Sequence, residues 1–352
     1  MSDGRPRLFP SSRPAGHVPP IVRYSSRFDH APERLAVLFM GLSAPDGNRA
    51  GRALADFLAA AGAAPDAPCH FDRARFTDAE GRANHMAALY WPDRDAFDRW
   101  AATPLIGEWR RGTRALAEDL AQWWEPVSVA PQRAETIAFA EYRRGLSACP
   151  FSRLEPMEET GYWGAARDRI PAAAFDPLEA EVPRLAPLDA PPRARGARLA
   201  VRPPAGLAVI RSGVSWAACG AEQRESYARN VKPKLDAGMD YLRRSPLDAG
   251  CPSLRQVVLA DGDGRLLEEA YSLGHFLSLG HLEAWAKHHP THLAIYHRAM
   301  AERKKYQAAL ELRTYNEIYV LEPGAPEFEY VNCDPATGLL PYFPARALPP
   351  AG

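Results

Sequence analysis

The sequence contains one short segment twice, each time with the same predicted elements after it. Residues 35–43 read LAVLFMGLS and residues 207–215 read LAVIRSGVS, so five of nine positions are identical. After each copy, apolar residues recur three and four apart, from Asn48 to Ala63 and from Ala221 to Arg244, which is typical of amphipathic helices. This repetition indicates an internal duplication, and each copy must fold into the same unit.

Both copies continue with a hairpin, a second helix and a last strand. The order strand, helix, strand, strand, helix, strand defines a ferredoxin-like unit. We therefore predict an α+β fold in which two duplicated ferredoxin-like units form a dimeric-type α+β barrel with flanking helices. The predicted hairpin runs are 69–76 with 85–91 and 256–260 with 266–276, the second helices lie at 95–104 and 282–290, and the last strands lie near 135–142 and 312–320.

The duplication divides the chain into five parts. The connecting segment contains a tract rich in Pro and Ala, from Ile170 to Pro204, that is either partly ordered around the barrel or a flexible loop. The tail carries Phe328, Tyr330 and Tyr342 and should pack on the barrel or on a second subunit. The parts are an N-terminal arm (1–34), a first half (35–142), the connecting segment (143–204), a second half (205–320) and a C-terminal tail (321–352).

Composition limits the classes of partner. Lys plus Arg and Asp plus Glu number 43 each, so no net charge favours nucleic acid or an anionic membrane, and a small-molecule substrate is the better expectation. The 5 cysteines form no Cys-x-x-Cys pair, which fits a reducing cytoplasm. Residues 1–20 contain no apolar core of a signal peptide, and no apolar run reaches membrane-spanning length. We expect a cytoplasmic protein, with a homodimer as a possible assembly.

Histidine is concentrated in one part of the second half. Six of the 10 histidines fall between His275 and His297. Pro290 should end one helix and open the next, which places His292 in the first turn of the new helix, where it could serve as a proximal haem ligand. A surface helix with hydrogen-bonded histidines is the alternative. A non-haem metal held by His288 and His292 is a further one, which the break at Pro290 disfavours.

Six segments carry distinctive residues: 161–169 (GYWGAARDR), 210–213 (IRSG), 240–243 (DYLR), 271–275 (YSLGH), 285–293 (WAKHHPTHL) and 328–338 (FEYVNCDPATG). Together they resemble the haem-containing aldoxime dehydratases, which form nitriles from aldoximes. The resemblance spans most of the chain and implies a duplicated dimeric-type barrel that binds haem b in its second half. The absence of a Cys-x-x-Cys-His motif predicts that this haem is not covalently attached.

The resemblance also implies roles for individual residues. His292 matches the family's proximal haem ligand, and Ser212 and Arg169 match distal residues that face the cofactor and the nitrogen-containing substrate. Ser212 could hydrogen-bond the oxime oxygen and Arg169 could stabilise the departing oxygen. His275, within a matching segment, is assigned to the cofactor site. Without the resemblance, Ser212 could simply end a strand, and Arg169 could pair with Asp168 or another surface acid.

The chain departs from the family's pattern at the expected acid-base residue. The resemblance implies a catalytic His in the pattern Leu-x-x-Tyr-His-Glu, whereas this chain carries Asn316, which cannot exchange a proton at neutral pH. The segment after Arg133-Ala-Glu135 also lacks the expected acid. Three explanations stay open: the proton comes through another residue such as His275, Glu317 or Tyr315, the substrate carries its own acid or base, or the haem pocket serves another reaction.

We therefore expect a haem b-dependent lyase that cleaves an N–O bond, most concretely by dehydrating an aldoxime at ferrous haem, with Asn316 in the catalytic set. One alternative is a related reaction on another N-oxygenated substrate, such as formation of a nitrogen–nitrogen bond. Another is a haem protein that binds gas without turnover.

Overall fold

The structure is a computed structural model that describes residues 6–28 and 32–349. An N-terminal strand precedes the first half, in which a hairpin lies between two helical regions. Asp46 and Asp93 cap the helices that follow them by accepting backbone N–H bonds. The elements are β1 (Arg23–Phe28), β2 (Leu35–Ser43), α1 (Gly47–Ala63), β3 (His70–Thr77), β4 (Ala83–Trp91), α2 (Arg94–Ala101), α3 (Pro104–Arg111), α4 (Thr113–Ala117) and β5 (Ala121–Val129).

The connecting segment is ordered in parts, as one of the two alternatives predicted. A 3₁₀ turn at Pro171–Ala174 lies within the Pro- and Ala-rich tract, and a strand near its end joins the main sheet. Two further 3₁₀ turns cover Pro131–Arg133 and Gly145–Ala148. The elements are β6 (Ala134–Ile137), β7 (Ser152–Met157), α5 (Ala165–Asp168) and β8 (Arg198–Val201).

The second half repeats the plan of the first, and the tail adds two strands. A π-helical turn at Tyr227–Val231 joins its first two helices into one, and a 3₁₀ turn at Gln307–Ala309 follows its last helix. The elements are β9 (Ala208–Ser215), α6 (Ala221–Ser226), α7 (Lys232–Arg244), α8 (Pro246–Ala249), β10 (Ser253–Ala260), β11 (Leu266–Phe276), α9 (Leu279–His288), α10 (Pro290–Tyr306), β12 (Arg313–Val320), β13 (Phe328–Val331) and β14 (Ala345–Ala347).

The strand order confirms the predicted duplication of a ferredoxin-like unit. The first half has the order β5-β2-β4-β3 and the second has β12-β9-β11-β10, so the first strand of each unit lies between its fourth and third. Antiparallel pairing of β3 with β10 joins the two into one sheet, and β5 and β12 approach each other on the far side. The inner faces of both halves share one apolar core, as a barrel requires.

The repeated glycine has the same structural purpose in both copies. Gly41 on β2 pairs with Trp123 on β5, and Gly213 on β9 pairs with Tyr315 on β12. A Cβ atom at Gly41 would lie 2.4 Å from the Trp123 ring, and one at Gly213 would lie 2.2 Å from the Tyr315 ring. Glycine therefore lets an aromatic side chain of the fourth strand lie across the first strand.

The predicted last strand of the first half is wrong. We expected it near Glu135 to Tyr142, but β5 occupies that place, and β6 instead pairs with β12 of the second half. All nine residues of β5 are buried, because its two faces contact the barrel core and the helices. A strand buried on both faces shows no alternation of apolar and polar residues, so periodicity could not identify it.

The tail packs on the barrel, which is one of the two alternatives that its aromatic residues predicted. Phe328 and Tyr330 are completely buried where β13 pairs with both β5 and β8. Tyr342 is partly buried against the same core. The part of the tail at 350–352 lies outside the described residues. Across residues 6–28 and 32–349, no helix is both long and apolar enough to cross a membrane.

Candidate functional site

A cavity of about 810 Å³ separates the outer face of the second half's sheet from the helices that cover it. Its volume is in the range of ligand pockets. Strands β9, β11 and β12 form its floor, α7, α9 and α10 form its roof, and the segment around α5 closes one side. Most of its lining is apolar, including Ile210, Met239, Phe276, Leu282 and Ile295.

His292 reaches this cavity from the first turn of α10. Pro290 is the first residue of that helix, as predicted, and the His289 side chain caps it by accepting the Thr291 backbone N–H. The His292 ring packs edge-to-face on Trp285, with centroids 4.6 Å apart. Burial lowers its pKa, with a contribution from the Ala286 backbone in the opposite direction. The imidazole is therefore neutral at pH 7 and able to ligate a metal.

Ser212 and Asn316 lie opposite His292, on the floor of the cavity. They are directly paired residues on β9 and β12, and the Ser212 hydroxyl donates a 2.7 Å hydrogen bond to Oδ1 of Asn316. Side chains alternate along a strand, so Arg211 and Glu317 beside them point into the barrel. Ser212 therefore lies in mid-strand, and the alternative that it merely ends a strand is wrong.

Arg169 follows helix α5 and also lines the cavity. Its Nε donates a 2.6 Å hydrogen bond to Oε2 of Glu135, and its Nη1 donates to the Glu159 carbonyl at 2.9 Å. The Arg169 and Glu135 side chains are 7% and 0% exposed. Asp168 instead accepts hydrogen bonds from Ser11 and Tyr162. The alternative of a surface ion pair is wrong, because the partner of Arg169 is a buried acid on β6.

Glu135 also changes the interpretation of the segment that begins at Arg133. The acid expected a few positions after Glu135 is absent from the sequence, but Glu135 itself supplies a carboxylate beside Arg169. Its Oε1 is buried without a hydrogen-bond partner among the described residues. The run Arg133-Ala-Glu135 was visible in the sequence, but its closeness to Arg169 depends on β6 crossing to the second half.

His275 does not reach the cavity, contrary to the expectation that it contacts the cofactor. It is 0% exposed, lies 3.6 Å from Oε2 of Glu125 and packs against Phe328 in the barrel core. Its neighbours on β11, Ser272, Gly274 and Phe276, are the residues that line the cavity. Strand alternation therefore places His275 on the opposite face of the sheet.

Tyr315 and Glu317 also face the barrel interior, so neither contacts the cavity as a proton donor. Glu317 Oε1 accepts a 2.5 Å hydrogen bond from the Tyr90 hydroxyl, and its Oε2 accepts one from the Leu146 backbone. The Tyr315 hydroxyl accepts a hydrogen bond from the fully buried Arg211. These groups form an internal polar network that the sheet separates from Ser212 and Asn316.

The sequence did not identify two contributors to the site. Trp285 is buried in the core of the second half, and it also lines the cavity and packs against the His292 ring. Arg23, in the N-terminal arm, lines an adjoining cavity of about 690 Å³ that shares Ser212 and Asn316 with the first. No local pattern marks an isolated Arg in an arm, so only the fold could identify it.

Two further observations concern metal and alternative sites. Among the described residues, no three or more His, Cys, Asp or Glu side chains are grouped as a metal site. His288 and His292 belong to different helices, because α9 ends before Pro290. A separate cavity of about 690 Å³, lined by Trp123, Arg255 and Cys333, contains none of the predicted site residues.

Comparison with known proteins adds independent evidence. The profile of a family described as haem-containing dehydratase matches residues 41–339. The phenylacetaldoxime dehydratase of Bacillus sp. (strain OxB-1) is 34% identical over 278 residues, which cover 78% of this chain and 79% of that protein. The aliphatic aldoxime dehydratase of Rhodococcus erythropolis is 33% identical over 342 residues, which cover 95% and 94%.

Two solved structures resemble the whole chain. A crystal structure of an aldoxime dehydratase has a TM-score of 0.86 and 31% sequence identity, with 96% of each chain covered. An aldoxime dehydratase crystallised with butyraldoxime has a TM-score of 0.86 and 32% identity, with 96% of this chain and 94% of that one covered. The similarity therefore extends over nearly the whole chain.

Proposed function

This chain belongs to the haem-containing dehydratases, and on that premise we propose that it dehydrates an aldoxime to a nitrile at a haem b held by His292. It is a haem-dependent lyase, and its relatives are named for aldoxime dehydration. One observation carries the proposal: His292 lies on one side of an apolar cavity, and Ser212, Asn316 and Arg169 lie on the other.

The residues around the cavity fit a haem. The neutral imidazole of His292 could ligate a haem iron, and Trp285, packed against its ring, restricts the orientation of that ring. Met239, Leu282 and Ile295 provide an apolar surface for a porphyrin. When bound, the haem would supply an iron able to coordinate an oxime nitrogen and so weaken the N–O bond.

Ser212 and Arg169 interact with the oxygen that leaves the oxime. Dehydration removes hydroxide from the oxime nitrogen and a proton from the oxime carbon, so the products are the nitrile and one water. The Ser212 hydroxyl can donate a hydrogen bond to the oxime oxygen, which orients the N–O bond. The fixed positive charge of Arg169 stabilises the negative charge that develops on that oxygen. Glu135 positions Arg169 through their buried ion pair.

Asn316 affects how the site can transfer protons during dehydration. Its amide can hold the Ser212 hydroxyl and donate to the substrate, but it is neither an acid nor a base near pH 7. Ser212 is the member of the group formed with Asn316 and Arg169 that can both donate and accept a proton. General acid-base catalysis contributes roughly 100- to 10,000-fold, so we propose that this chain dehydrates aldoximes more slowly than a homologue with His at this position.

Asn316 also favours a second candidate function. A substrate that carries its own acid or base would not need a His at this position. The same cavity would then cleave the N–O bond of another N-oxygenated compound, as in nitrogen–nitrogen bond formation. Ser212 and Arg169 would retain their roles toward the departing oxygen.

An anaerobic assay of the dithionite-reduced holoprotein separates these functions. With phenylacetaldoxime and short alkyl aldoximes as substrates, we expect a nitrile product detectable by gas chromatography. Bound haem without nitrile from any of these aldoximes would contradict aldoxime dehydration and favour the second candidate. A protein that binds carbon monoxide but shows no spectral change with any aldoxime would be a gas-binding protein instead.

The cellular context is part of the same proposal. We propose a cytoplasmic enzyme, because the cysteines form no pairing pattern in the sequence. A homodimer is the assembly we expect, and light scattering of the purified holoprotein measures it directly.

A further inference from the structure

The adjoining cavity under the C-terminal half of α10 has an excess of positive charge. This cavity adjoins the proposed haem cavity, because Ser212, Asn316 and Ile295 line both. Three arginines line it, Arg75 from β3, Arg23 from β1 and Arg303 from α10. Of these, Arg23 and Arg303 are close enough for their charges to repel. The cavity thus extends from the proposed reaction site to a pair of guanidinium groups.

Arg23 is a buried cation with uncharged partners. It is 5% exposed, and its Nη2 and Nε donate to the carbonyl oxygens of Thr314 at 2.7 Å and Ala138 at 3.2 Å. The guanidinium also lies 4.1 Å from the centroid of the Phe139 ring. Burial, together with repulsion from Arg169 and Arg303, lowers its pKa to about 9. A buried charge without a counter-ion is costly, so the site favours an added anion.

Arg303 has no ion pair or hydrogen bond from its side chain within the described residues, and burial lowers its pKa. The acids around this cavity do not neutralise the two arginines, because each contacts another cation. These contacts pair Glu302 with Arg298, Asp236 with Lys232, Glu135 with Arg169, and Glu141 with Arg313.

We propose that Arg23 and Arg303 bind a carboxylate group in this cavity, an inference that rests on the proposed haem site beside it. Guanidinium groups bind carboxylates through paired hydrogen bonds in fixed geometry. Two sources supply this chemistry: a propionate of the haem, or an acidic substituent of the substrate. Either source gives the N-terminal arm a binding function, since it contributes Arg23.

The first measurement tests the haem propionate. The variant Arg303→Gln removes the accessible charge of the pair, and Lys304→Gln removes an exposed charge from the next position of the same helix as a control. Haem transfer from the holoprotein to an excess of a haem acceptor gives the rate of haem loss. If a propionate is bound, R303Q loses haem roughly 10- to 100-fold faster than K304Q, and Arg303→Lys reduces the increase. Protein reconstituted with haem dimethyl ester shows no such difference.

The second measurement tests the substrate. Holoprotein is titrated with 4-(hydroxyimino)butanoate and with its methyl ester, and binding is followed by the haem absorption spectrum. If a substrate carboxylate is bound, R303Q weakens binding of the acid by roughly 10- to 100-fold but leaves binding of the ester unchanged. R303Q would then lose haem at the rate of K304Q.

A third result would overturn the inference: R303Q and K304Q behave alike in both measurements. Neither measurement requires turnover, so the two proposals fail separately. A protein that forms no nitrile but shows either Arg303 effect retains the carboxylate site. A protein that forms nitrile but shows neither effect refutes that site alone.

Discussion

The Ser212 hydroxyl donates a 2.7 Å hydrogen bond to Oδ1 of Asn316 across the pair of strands β9 and β12. This bond joins two uncharged groups on the cavity floor and fixes the orientation of the Asn316 amide. Its amino group is then left to donate to a ligand. The site can therefore position an N–O bond at this point, but Asn316 cannot deliver a proton to it.

Replacing Asn316 by His should restore a proton carrier. An imidazole with a pKa near 6.5 exchanges protons at neutral pH, and we expect nitrile formation by the reduced holoprotein to rise roughly 100-fold or more. Turnover should also become dependent on pH near that pKa. The measurement is the anaerobic rate with phenylacetaldoxime, with Asn316→Gln as the control. An N316H rate equal to that of N316Q would contradict the assignment of Asn316 to proton handling.

Removal of the proposed ligand at His292 should release the haem or change its spectrum. In His292→Ala the cavity keeps its apolar lining but loses the imidazole, so haem content falls and the Soret band shifts. His288→Ala, which changes a histidine at the end of α9, is the matched control and should retain both. Added imidazole should partly restore the H292A spectrum. If H292A keeps the unaltered spectrum, another residue holds the iron.

Glu135→Gln should destabilise the protein by about 3–5 kcal/mol, because it leaves the buried Arg169 without a charged partner. The exposed pair between Glu225 and Arg229 provides the comparison. Glu225→Gln should cost less than about 1 kcal/mol. Chemical denaturation at pH 7 measures both free energies of unfolding. Equal losses in the two variants would show that the Arg169 ion pair is not structurally important.

His275 should make the stability dependent on pH below neutrality. Burial lowers its pKa to about 4, with Glu125 opposing and Arg255 reinforcing the shift. The unfolded chain, with a pKa near 6.5, binds a proton between these values that the folded protein does not bind. The contribution of neutral, buried His275 to the free energy of unfolding is therefore complete above pH 6.5 and decreases as the pH falls toward 4.

We expect proton uptake by the unfolded chain at His275 to lower the free energy of unfolding of the wild-type protein by about 2 kcal/mol between pH 7 and pH 5. The measurement is the free energy of unfolding at both values for wild type and for His275→Gln, which cannot take up the proton. The difference between the two proteins isolates this residue from other titrating groups. Parallel pH dependence in both would mean that His275 titrates in the folded protein as it does in the unfolded chain.

The fold and the helix that carries His292 could be predicted because their signals are local. Residues 35–43 and 207–215 repeat a strand, the apolar periodicities that follow identify helices, and Pro290 marks the start of α10. Each of these patterns depends on neighbours a few positions apart, where backbone geometry and burial act directly on the sequence. The positions of Ser212 and Asn316 on one face follow from the same alternation, once their strands are paired.

The other features of the fold and of the site depended on contacts between distant segments. By its residues alone, the sequence determined the duplicated units and the helix that presents His292. The departure from the family's pattern at position 316 was inferred from the resemblance. The tertiary structure decided that β6 brings Glu135 to Arg169, that the N-terminal arm brings Arg23 to a cavity, and that His275 is inside the barrel. The physical reason is that strand pairing and the face a strand presents arise from packing across the sheet, which no short-range pattern encodes.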